Sequence, residues 1–129
     1  MKRVAGLVLA CSLVLGSAMA LAEEAKKEAP KPTTVQGEIV DLGCYLGHGA
    51  KGPDHKSCAL KCIEGGMPMG LLSSDNTLYL LTMSHENADP FAQAKKMAAS
   101  MVEITGTVHE RDGMKSLEVT AIKEAKAKG

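Results

Sequence analysis

The sequence predicts a mainly β domain. Five strands close into a Greek-key barrel, with a short helix in an insertion after the first strand and a second helix between the third and fourth. Three observations predict it. Near the C-terminus Val102, Ile104 and Val108 alternate with Glu103, Thr105 and Thr107, and then Leu117, Val119 and Ala121 alternate with Ser116, Glu118 and Thr120. Period two is the mark of a half-buried strand. Between these runs stands Asp112-Gly113, a two-residue hairpin signal. Upstream, strand and helix signals follow one another in the order β, loop with short helix, β, β, α.

Residues 35–42 read as the first strand, with Val35 and Ile39 on one face, Gln36 and Glu38 on the other, and Gly43 as the break. A glycine loop, Gly47-His48-Gly49-Ala50-Lys51-Gly52-Pro53, follows and disfavours regular structure. A short helix is expected from His55 to about Glu64, stopped by Gly65-Gly66. Residues 69–72 and 77–83 read as two strands joined by the polar turn Ser73-Ser74-Asp75-Asn76. Asp89-Pro90 places an N-cap residue before a proline at the first helical position. That helix is expected to run to about Ser100 and to bury Phe91, Ala94, Met97 and Ala98.

A helix between the third and fourth of five strands is the arrangement of the OB-fold. The segments Met101-Val102-Glu103-Ile104-Thr105-Gly106-Thr107-Val108 and Val35-Gln36-Gly37-Glu38-Ile39-Val40 resemble the x-G-x-V strands of small exported bacterial OB-fold proteins. The resemblance covers the strands between Val35 and Ile122 and implies a fold, not an activity. The Cys/His insertion is not part of that pattern. A five-stranded sandwich or a split α+β roll is the competing architecture.

The ends set the organisation. Met1-Lys2-Arg3, an apolar run from Val4 to Leu15 and the small residues up to Ala22 describe a secretory signal peptide over 1–22. Cleavage is expected after Ala22. The apolar run is too short for a membrane span, so the expected location is the periplasm or the exterior. A lipid anchor at Cys11 would halve the apolar segment and is rejected. Residues 23–34, charged and Ala/Pro-rich, read as a flexible linker. The domain is expected over 35–124, with the insertion at 43–66 and a tail at 125–129. After cleavage 13 basic residues face 15 acidic ones, a net charge of −2. Such a chain has no field to draw it to nucleic acid or anionic lipid. Its three aromatics, Tyr45, Tyr79 and Phe91, offer no stacking platform for bases.

Chemistry concentrates in the insertion, where Cys44, His48, His55, Cys58 and Cys62 fall within 19 residues. These are the side chains that bind soft and borderline metals. On a helix, Cys58 and Cys62 share one face, with His55 close to the same stripe. Cys44 and His48 approach from the strand end and the glycine loop. Four of the five make a Cys3His set suited to zinc. Met67 and Met69, which follow directly, suit copper(I) as the second choice. Asp41 is either a second-layer acid that orients a histidine or a strand-end turn residue, the latter being the simpler reading. The expected partners are the metal ion and an envelope protein.

Two other chemistries compete. A disulfide from Cys44 to Cys58 or Cys62 would close a loop of about 15–20 residues, worth roughly 3 kcal/mol. It would leave one thiol free and fasten a binding module for a protein or small ligand. A thiol redox role at Cys58 or Cys62, beside Lys61, is the third reading. A Cys58–His55 nucleophilic pair lacks any sign of an oxyanion hole. Three residues separate Cys58 from Cys62 and no histidine follows, so neither haem attachment nor a thioredoxin motif fits.

Overall fold

The computed structural model describes residues 30–126. The signal peptide expected at 1–22, the first part of the linker expected at 23–34 and the last three residues of the expected tail lie outside the described residues. The described chain is mainly β: a five-stranded mixed sheet with three α-helices, one more than the sequence predicts. The strands are β1 (Thr33–Asp41), β2 (Met69–Ser73), β3 (Leu78–Met83), β4 (Met101–Arg111) and β5 (Met114–Glu124). The helices are α1 (Leu42–His48), α2 (Lys56–Glu64) and α3 (Asp89–Lys96), and a 3-10 turn (Pro53–His55) precedes α2.

β1 pairs antiparallel with both β2 and β4, β2 antiparallel with β3, β3 parallel with β5, and β4 antiparallel with β5. The order β1-β2-β3-β5-β4 therefore returns to β1 as a closed ring. Ile39, Leu71, Leu81, Val102, Ile104, Leu117 and Val119 point into it. Ala59 and Ile63 of α2, with Ala94 of α3, join that core. α2 packs on β1 and on α3, while α3 packs on β5 and β3.

The differences from the sequence reading have local causes. β1 starts at Thr33, inside the expected linker, because Thr33 and Thr34 pair with Gly106 and Thr105. β5 does not keep one inward phase. Val119 pairs with Gly106 and Ala121 with Thr105, which leaves Thr120 as an extra residue. Such a bulge shifts the inward phase by one. Ala121 is thus exposed, and Ile122 packs against the core in its place. The Thr120 hydroxyl donates to the Thr105 carbonyl at 3.0 Å across the irregularity.

α3 begins on Asp89 itself, with Ala88 in the cap position and Asn87 Oδ1 accepting the Asp89 N–H at 3.0 Å. It ends at Lys96 rather than near Ser100. There the chain turns through Ala99, whose N–H donates to Ile39 O at 2.7 Å, and Ser100 O accepts from Ile39 N at 3.2 Å. Pairing with β1 competes for the backbone that a longer helix would use.

Candidate metal centre

Where the sequence predicts a strand end and an open loop, the structure has α1. Asp41 is its N-cap, with Oδ1 accepting the Cys44 N–H at 2.8 Å. Gly49, in the left-handed conformation at φ 71°, closes it with an N–H to Tyr45 O at 2.8 Å. The glycine loop is then reduced to a short crossing. It is pinned where Gly52 N–H donates to the Glu38 carboxylate and His55 N–H to Gly52 O at 3.0 Å. α2 is held by the buried Ala59 and Ile63, and Cys58 and Cys62, each one residue before them, occupy the neighbouring face.

The result brings five side chains together in two overlapping triads. The sulfurs of Cys44, Cys58 and Cys62 lie within 4.8 Å of one another, and so do ligand atoms of Asp41, Cys44 and His55. Cys44 is common to both. The shared face of Cys58 and Cys62 is thus realised, and the sulfur of Cys44 meets it from α1. His55 joins Cys44 but not the α2 pair. His48, expected as a ligand, stands outside both triads: it is the exposed last residue of α1. His109 faces Glu118 at 3.5 Å on the sheet, away from the insertion.

Asp41, weighed from the sequence as the simpler turn acid, is fully buried. Its second oxygen lies 3.0 Å from His55 Nε2. Burial alone would raise its carboxyl. The Cys44 N–H and the His55 ring outweigh that and hold it below the ordinary carboxylate value. The same carboxylate acts the other way on its neighbour. Accepting from the Cys44 thiol, it pushes that group up to about 12, with burial adding to the effect. Cys62 is raised by burial and by Cys58.

The three cysteines are unbonded thiols. The disulfide staple expected as the competing reading is therefore not present: no pair stands at bonding distance. At Cys44 the electrostatic setting does not favour a redox nucleophile, since a thiol held protonated by a carboxylate is a poor one. A cation changes this balance, because metal coordination deprotonates a thiol outright. Cys44, Cys58 and Cys62, with Asp41 and His55 alongside, are positioned to hold a metal ion. Among the described residues no helix is long and apolar enough to cross a membrane. Compared with known protein families, curated proteins and solved structures, the chain matches none.

Proposed function

We propose that the chain is a periplasmic, non-enzymatic binding protein for a thiophilic transition-metal ion, zinc(II) or copper(I), held by Cys44, Cys58 and Cys62. The observation that carries the reading is the meeting of three sulfurs, brought by two separate helices within 4.8 Å. Thiolates select soft and borderline ions over magnesium, calcium or manganese. His55 meets Cys44 but not the α2 pair, so it supplies a fourth ligand only by moving toward Cys58 and Cys62 when the ion binds. With Nε2 turned to the Asp41 carboxylate, Nδ1 is left for an ion, and a carboxylate behind a histidine is the usual support of a metal ligand. Used in this way the set is Cys3His, a zinc set; without His55, the sulfurs alone suit copper(I).

The carrier of this site is, on the same proposal, an OB-like Greek-key barrel. The closed strand order with a helix between β3 and β4 supports it. Export to the periplasm is supported by the basic start, apolar run and small residues of 1–22.

The test is titration of the fully reduced protein with each ion in turn. Saturation at one ion per chain is expected. Each of Cys44→Ser, Cys58→Ser and Cys62→Ser should weaken binding by at least about tenfold, the scale on which metal sites respond to lost support. Unchanged uptake in a variant lacking all three cysteines would contradict the proposal.

A further inference from the structure

We infer that the ion is copper(I) and that Met67 supplies its thioether as a further soft ligand beside the three cysteines. This rests on the metal-binding reading above and narrows it.

Met67 is tied to both walls of the centre. Its N–H donates to the carbonyl of Cys62 at 2.9 Å, as the chain leaves α2. Next to it, Pro68 O accepts the N–H of Leu42, the first residue of α1, at 2.9 Å. The thioether itself lies over Gly43, the residue before Cys44. A Cβ built on Gly43 would stand 2.8 Å from Met67 Sδ and 2.7 Å from its Cε. Position 43 is therefore a cradle that any side chain would fill. Glycine is a poorer helix former than alanine, and at Gly43, in the first turn of α1, its missing side chain leaves the room that the Met67 thioether occupies.

Met67 is not serving as core filler. It is 39% exposed, whereas Met69, two residues on, is 2% exposed and packed in the core. Met69 is thereby removed as a ligand and Met67 retained. The donor geometry points the same way. Asp41 and His55 form their triad with Cys44 and do not extend to Cys58 and Cys62. Among the described residues, no histidine, cysteine or acid joins the sulfur trio as a fourth donor. Zinc in structural sites almost always takes four ligands in a tetrahedron. A trio of thiolates capped by a thioether is a soft set, which selects copper(I).

The test uses the full chain, reduced and kept free of oxygen. Copper(I) affinity is measured against a chromophoric copper(I) chelator, and zinc(II) affinity against a zinc-binding dye. Wild-type protein is expected to take copper(I) from an equimolar mixture. Met67→Leu, of similar size, should lose copper(I) affinity by at least about tenfold while zinc(II) affinity stays within about twofold. Gly43→Ala, which displaces the thioether and favours the helix, should reproduce that selective loss. Copper(I) affinity retained in Met67→Leu, or equal loss for both ions, would overturn the role of Met67 while leaving the three-cysteine centre standing. Wild-type protein that binds neither ion would overturn the metal-binding reading itself.

Discussion

Asp41 uses its two carboxylate oxygens on different partners, one on the Cys44 N–H and one on the His55 ring. A buried carboxylate is tolerated when hydrogen bonds satisfy it, and here the Cys44 N–H and the His55 ring do so. The residue thereby fixes the first turn of α1, and with it Cys44, while setting the orientation of His55. Asp41→Asn keeps an acceptor for the cap but removes the charge. Metal affinity should fall by roughly 10–100-fold with the fold retained, measured by competition titration alongside circular dichroism. Asp41→Ala should in addition lower unfolding free energy by about 1–2 kcal/mol through loss of the cap, read from denaturant unfolding. Both roles of Asp41 were visible as options in the sequence. The choice was not, because His55 is 14 residues away and reaches Asp41 only through the path of the insertion.

At the scale of elements, what the sequence disclosed depended on whether a segment's local preference agreed with its tertiary surroundings. α2 was legible: Cys58 and Cys62 at i, i+4 carry the chemistry, and Ala59 and Ile63 carry the burial. α1 was not. Gly43 and Gly47 argue against a helix, and the stabilising groups come from outside it, the Asp41 cap and the Pro68 carbonyl. For the same reason the sequence places Cys44 at the strand end and His48 in the glycine loop. The turn joining β2 to β3 is the opposite case, local in sequence and local in structure. The Ser73 hydroxyl and the Thr77 N–H both donate to the Asp75 carboxylate, and the Ser73 bond leads in holding that carboxyl below its ordinary value. A depressed folded-state pKa stabilises above the unfolded value and is lost as pH falls through the folded one. Asp75→Asn should therefore be less stable than wild type at neutral pH, and the difference should shrink on acidification below about pH 4. Thermal unfolding of both proteins across that range checks it. A difference that stays constant with pH would contradict it.

On the scale of the whole molecule, the five strands and the helix before the last hairpin were legible because the period-two runs, Asp112-Gly113 and Asp89-Pro90 are local signals. The irregularities that let the ring close were not. The Thr120 bulge changes the phase of β5 without any break in its apolar alternation. At the same place a side chain on Gly106 would overlap the Glu118 carbonyl. Such close backbone approach is invisible in a hydropathy pattern. The closed sheet supplies a rigid wall for the core, and the insertion lays two short helices against it so that their cysteines converge. Function on this account belongs to the insertion and not to the sheet. X-ray absorption at the edge of the bound metal tests that claim most directly, because it counts the sulfurs around the ion. The expected first shell holds at least three sulfur atoms at about 2.3 Å, reduced in each single Cys-to-Ser variant of Cys44, Cys58 and Cys62. A first shell of nitrogen and oxygen alone, or one unchanged by those substitutions, would contradict it.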